Sequence, residues 1–136
     1  MKILYKIRAS SVGGRSGHAA LDDNSLGFDL SPPGSGKSGV NPEQLFAIGY
    51  AACFDSALAL VAKQMKSAMK RSKTSVEVGL GQTEDGGFVL DIDLYVQVEG
   101  VSADEAKKLA EAAHKVCPYS KATRGNIDVR LHPSAI

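Results

Sequence analysis

Two cysteines, Cys53 and Cys117, are the side chains of this 136-residue sequence most suited to nucleophilic or redox chemistry. They stand 64 residues apart and form no CxxC pair, which rules against a secreted disulfide scaffold or a zinc site. The ordinary reading of two lone cysteines in a reducing compartment is a pair of buried small hydrophobes. Cys53 lies in an apolar stretch, where a thiol titrates high and stays inert unless a cation comes close. Arg15 is a candidate for that cation. It sits in Gly13-Gly14-Arg15-Ser16-Gly17, where glycines permit positive φ and give the side chain an unusual direction. Read alone, it is a solvated loop charge. Glu43 is the third candidate, although an acidic residue in a first helical turn also simply complements the helix dipole. Cys117 precedes Pro118 at the end of a helical pattern, so its thiol is either accessible there or one more buried cysteine.

Other combinations carry less chemistry. His18, His114 and His132 have no HExxH spacing, and His114 with Cys117 supplies only two ligands, so no metal is expected. Gly34-Ser35-Gly36-Lys37-Ser38 resembles the end of a phosphate loop but lacks the earlier glycine and the strand–helix context. The lysines from Lys63 to Lys73 have no interleaved aromatics and read as a solvated helix end. Sixteen basic against fifteen acidic residues give a net charge of +1, no reason to expect nucleic acid or an anionic membrane. No apolar run is expected to approach the roughly 20 residues of a membrane span. Lys2, Lys6 and Arg8 interrupt any signal-peptide core. A soluble cytoplasmic protein is expected. The length suits one domain, residues 1–136, and 43% hydrophobic with 23% charged residues is a globular balance.

The elements that must position these residues follow from periodicity. Ile3, Tyr5, Ile7 and Ala9 alternate with polar residues and predict a first strand. His18 to Leu21 and Gly27 to Leu30 predict two short strands around an Asp22-Asp23-Asn24 turn. Asn41-Pro42-Glu43-Gln44 is a helix start with N-cap, N1 proline and capping-box glutamine. That helix is expected to run to about Met69 and to be buried over its first two-thirds. Val76 to Leu80, a turn at Asp85-Gly86-Gly87, and Phe88 to Val98 predict a long hairpin. Ser102 with Glu105 predicts a capping box for a second helix, with Ala106, Leu109, Ala110, Ala113 and Val116 on its apolar stripe. Ile127, Val129 and Leu131 predict a last strand. The order is that of an α+β fold.

Three blocks together carry a family resemblance: Val12-Gly13-Gly14-Arg15-Ser16-Gly17, the run from Asn41 to Phe54, and Cys117-Pro118-Tyr119-Ser120-Lys121-Ala122-Thr123-Arg124-Gly125-Asn126-Ile127. In this order they resemble the Ohr branch of the Ohr/OsmC family, the organic hydroperoxide resistance proteins, over essentially the whole chain. Ile48 stands where the family pattern suggests Ala, and the segment from Ser31 to Val40 is short and Ser-rich. The resemblance implies an OsmC-like fold with antiparallel sheets around a long central helix, in an intertwined homodimer with sites at the subunit interface. It implies a thiol-dependent peroxidase that reduces organic hydroperoxides to alcohols, with no metal or tightly bound cofactor. Carried over by motif, Cys53 is the peroxidatic and Cys117 the resolving cysteine, joined as a disulfide during turnover, with Arg15 and Glu43 as the activating pair. Dihydrolipoamide, or a lipoylated protein, is the implied dithiol reductant. Phe46, Phe54 and Tyr119 are candidates to line an apolar substrate pocket.

Spacing adds one expectation. Glu43 and Cys53 are ten residues apart, about 15 Å along a straight helix, so Glu43 is expected to serve Cys53 of a partner subunit, the helices crossing near Ile48. Small residues at Ala47, Gly49, Ala51 and Ala52 suit a close crossing. The alternatives are a non-catalytic thiol redox sensor and a small-ligand binding module with structural cysteines.

Overall fold

The computed structural model describes residues Met1–Ile136, which divide into two compact units, residues 1–45 and 46–136. In the first, β1 (Ala9–Val12), β2 (His18–Leu21) and β3 (Gly27–Asp29) form an antiparallel sheet in that order. The register runs from Ala9 opposite Leu21 to Val12 opposite His18. The strand predicted over residues 3–9 therefore starts only where that alternation ends. Its partner β2 has four residues, and the ladder closes at the Asp22 N–H, which donates to the Arg8 carbonyl at 3.0 Å. The chain turns away at Asn24, whose φ of 59° is left-handed. Residues 1–8 are left without a strand partner, and Ile3, Leu4, Tyr5 and Ile7 stand exposed.

Helix α1 (Pro42–Gln64) begins as the sequence predicts. The Gln44 N–H donates to Asn41 Oδ1 at 2.9 Å, and the Asn41 N–H to Gln44 Oε1 at 2.8 Å, a complete capping box. It ends earlier than Met69. Lys66 takes φ 51°, and the Ser67 N–H reaches back to the Ala62 carbonyl at 2.9 Å, a Schellman stop on a non-glycine residue. The chain then enters β4 at Arg71, five residues before the expected Val76.

In the second unit, β4 (Arg71–Gln82) and β5 (Phe88–Glu99) form a hairpin paired from Arg71 opposite Glu99 to Gln82 opposite Phe88. Ile92, Leu94, Val96 and Val98 fall on one face of β5 and are fully buried. They share a core with Phe54, Leu58 and Val61 of α1 and with Ala106, Leu109, Ala110 and Ala113 of α2 (Ala103–Val116). Each large aliphatic side chain buried there contributes about 1.5–3 kcal/mol. Ser102 caps α2, accepting from the Glu105 N–H at 3.1 Å. The Glu105 carboxylate instead accepts from the Ser67 hydroxyl at 2.5 Å, so the capping box is only half made and its acid ties down the end of α1.

Pro118 does more than interrupt α2: it opens a further short helix, α3 (Pro118–Thr123). The crossover through α2 and α3 returns the chain to β6 (Val129–Ala135), which pairs parallel to β5, a departure from all-antiparallel sheets. A parallel neighbour requires such a helical crossover. A second departure concerns hydropathy. Helix α1 is long and apolar enough, by length and composition, to cross a bilayer, because Asp55 is the lone charge between Glu43 and Lys63. Asp55 accepts hydrogen bonds from Ser72 at 2.8 Å and Thr74 at 3.1 Å of β4, which fastens this helix to a sheet as a core element.

Candidate active site

The sequence candidates fall into two pairs, one in each unit. In residues 1–45, a single 3-10 turn (Gly14–Ser16) follows β1. Gly13 and Gly14 take φ of 82° and 56°, as the glycine pattern suggested. Gly17 is required for a different reason: a Cβ there would lie 1.8 Å from the Val12 carbonyl oxygen. The turn directs Arg15 onto the first turn of α1, where Nη1 and Nη2 donate to the two Glu43 carboxylate oxygens at 2.8 and 2.7 Å. This bidentate pairing fixes the guanidinium plane. It holds the Glu43 carboxyl below its usual range, chiefly through the hydrogen bond from Arg15.

In residues 46–136, Cys53 projects from α1 and Cys117 is both C-cap of α2 and N-cap of α3. Their sulfurs lie 3.6 Å apart with both thiols free. Cys117 is fully buried, while Cys53 is partly exposed. The pair is therefore asymmetric, one cysteine partly exposed and the other buried. Burial pushes the Cys53 thiol up, the Tyr119 backbone N–H pulls it down, and Cys117 beside it pushes it up again; the net direction is upward.

An aromatic cluster adjoins the cysteines. Phe46, Tyr50 and Tyr119 have mutual ring-centroid distances of 5.6 to 5.8 Å. Gly49 leaves room for the Tyr119 ring, whose hydroxyl oxygen lies 2.8 Å from where a Cβ would sit. Phe46 and Tyr119 keep some exposure, whereas Phe54 is fully buried in the core. Two further contributors here carry little signal in the sequence. One is the Tyr119 main chain at the start of α3. The other is Tyr50, whose buried hydroxyl meets Ser120 Oγ at 2.8 Å and Thr123 Oγ1 at 3.3 Å. A tyrosine in a run of small and apolar residues was the available signal, since a buried hydroxyl needs a partner. No group of three or more His, Cys, Asp or Glu side chains is arranged to hold a metal ion.

Known proteins resemble this chain in sequence and fold. The family model described as OsmC-like protein matches residues 34–132. The organic hydroperoxide resistance protein OhrB of Bacillus subtilis is 46% identical over 132 residues, covering 94% of this chain and 96% of its own. The organic hydroperoxide resistance protein of Xanthomonas axonopodis pv. citri is 47% identical over 136 residues, covering 96% and 94%. The crystal structure of an organic hydroperoxide resistance protein from Legionella pneumophila superimposes with a TM-score of 0.91 at 44% identity, covering 96% of this chain and 98% of that one. With near-complete coverage in both directions, this chain belongs to the OsmC family, in the branch of the organic hydroperoxide resistance proteins.

Proposed function

We propose that this protein is a thiol peroxidase that reduces organic hydroperoxides to alcohols through Cys53 and Cys117. The observation that carries the reading is the 3.6 Å approach of a partly exposed thiol to a buried one. The Cys53 thiolate attacks the outer peroxide oxygen, the O–O bond breaks, and the alkoxide leaves and takes a proton as alcohol. Cys53 is then a sulfenic acid. The Cys117 sulfur attacks it, forming the Cys53–Cys117 disulfide, and the hydroxyl departs with the Cys117 proton as water. A dithiol such as dihydrolipoamide, free or on a lipoylated protein, restores both thiols by exchange and leaves as its own disulfide. Phe46 and Tyr119 supply apolar surface beside Cys53 that favours alkyl or fatty-acid hydroperoxides over hydrogen peroxide. Phe54 acts as core behind them. The reducing cytoplasm is the compartment in which such a cycle resets.

Cys53 needs a cation, since its own surroundings raise its pKa. Arg15, held by Glu43, is that cation in this proposal, and it also steadies charge on the leaving alkoxide. Ten residues of α1 separate Glu43 from Cys53, about 15 Å along the axis, so the pair of one subunit serves the Cys53 of its partner in a homodimer. Exposed apolar side chains support an assembly: Ile3, Leu4, Tyr5 and Ile7 before β1, and Ile48 and Leu60 on α1. Co-expressed Cys53→Ser and Arg15→Ala chains test it. Each is inactive alone, and mixed dimers regain one working site; mixed dimers without activity would place both groups in one chain.

The activity itself is tested by steady-state consumption of cumene hydroperoxide beside hydrogen peroxide, with dihydrolipoamide as reductant. Fast turnover of the organic peroxide, slow turnover of hydrogen peroxide and none in Cys53→Ser are expected. One oxidation per chain without turnover would identify a redox sensor instead.

A further inference from the structure

The Tyr50 hydroxyl sits one helical turn before Cys53 on α1 and is wholly shielded from solvent. Its two partners, Ser120 and Thr123, are also buried and lie on α3, the helix that Cys117 caps. The direction of each bond follows from counting protons. Thr123 Oγ1 has one hydrogen, directed at the carbonyls of Tyr119 at 3.0 Å and Ser120 at 3.2 Å. Thr123 therefore accepts from Tyr50. Having given its only proton to Thr123, Tyr50 accepts from Ser120. The result is a directed chain, Ser120 to Tyr50 to Thr123 to the Tyr119 carbonyl, in which every hydroxyl proton is used. Tyr119 is also the residue whose N–H acts on the Cys53 sulfur.

We propose that this hydroxyl chain makes Tyr50 a positioning residue for disulfide formation, by holding the α2–α3 corner so that Cys117 faces Cys53. The inference rests on the peroxidase reading above and assigns Tyr50 no contact with substrate. The two bonds at Tyr50, with Ser120 and with Thr123, run from the helix of one cysteine to the helix of the other, beside the 3.6 Å sulfur contact and the Tyr119 N–H at Cys53. Arg124 Nη1, donating to the His114 carbonyl at 2.7 Å, joins α2 to the C-cap of α3 and does not involve α1. Loss of the Tyr50 hydroxyl thus loosens α3 against α1 while leaving the tie between α2 and α3 in place. Ser120 and Thr123 are then left buried with one partner fewer, a cost that favours displacement of α3.

The test separates the two chemical steps. Reduced protein is mixed with cumene hydroperoxide, and the sulfenic acid is trapped with a cyclic dione at timed intervals while disulfide is quantified by mass. In Tyr50→Phe, disulfide formation slows relative to Cys53 oxidation by about tenfold, the ratio that one net hydrogen bond of ordinary strength supplies. Trapped sulfenic acid rises in step. Ser120→Ala, a smaller change, reproduces the direction should Tyr50→Phe fold poorly. The double variant is no slower than the worse single one, because both remove the same bond. An unchanged ratio of the two rates in folded Tyr50→Phe and Ser120→Ala overturns the proposal. Failure of wild-type Cys53 to be oxidised at all would overturn the peroxidase reading instead.

Discussion

Two arginines in this molecule make bidentate bonds to carboxylates, and they differ in what they have left to give. Arg130 on β6 donates from Nη1 and Nη2 to Asp91 at 2.8 Å and from Nε and Nη2 to Asp93 at 2.8 and 2.5 Å. Four of its five N–H groups are spent, and His132 also bonds Asp93 at 2.7 Å. Arg15 meets a single carboxylate with two N–H groups, so three of its five donors remain. The first cluster is closed, a cation outnumbered by anions on an exposed sheet face. The second is an oriented cation with donors to spare, on a turn whose glycines serve to aim it. Bidentate geometry alone therefore does not separate the two; the unspent donors and the built turn do.

The largest consequence is in catalysis. Arg15→Ala is expected to lower kcat/KM for cumene hydroperoxide by about 10²–10³, the scale of one lost electrostatic donor. Arg130→Ala should stay within about twofold, as surface changes do. Equal losses would erase the contrast. Arg15→Lys sharpens it, since lysine keeps the charge but not the planar fork. A loss of about tenfold is expected, one charge-assisted hydrogen bond.

The pH dependence of Cys53 comes next. Burial raises its pKa, so without a cation its thiolate forms only above the ordinary thiol value, about 8.5. Alkylation of wild type should therefore show a midpoint below that value, and Arg15→Ala one above it, with Arg130→Ala unmoved. Iodoacetamide rates from pH 5 to 10 decide this.

The smallest effect is on acid stability. Hydrogen bonds from Arg130 hold the Asp91 and Asp93 carboxyls below their usual range, with His132 adding to the effect on Asp93. Arg15 does the same for Glu43. Each depressed carboxyl contributes stability that is complete above its unfolded pKa and lost as pH falls through the folded one. Arg130→Ala should flatten the acid limb of a Tm profile more than Arg15→Ala, two carboxyls against one. Both effects are modest because the pairs are solvent-screened.

Local signals carried most of the fold. Asn41 with Gln44 and Ser102 with Glu105 placed two helix starts, and unbroken alternation from Phe88 to Val98 placed β5, because each is settled by neighbours in sequence. The early end of α1 was hidden, since Lys66 carries no mark of the left-handed turn that Ser67 and its bond to Glu105 help to fix. The first strand was misplaced because alternation reveals an apolar face but not whether a partner strand lies beside it. Of the candidate site residues, Cys53, Cys117, Arg15 and Glu43 are legible by residue type and by the family motif. Tyr50, Ser120 and Thr123 are not, for their meaning depends on contacts across 70 and 73 residues of sequence.

The most direct test of the central claim is stoichiometric. Reduced protein is given one equivalent of cumene hydroperoxide, and alcohol, free thiols and cross-linked peptides are measured together. The account predicts one alcohol formed and two thiols lost per chain, with Cys53 and Cys117 recovered in one disulfide-linked peptide pair. Unchanged thiols, or alcohol formed while Cys53 stays reduced, would contradict it.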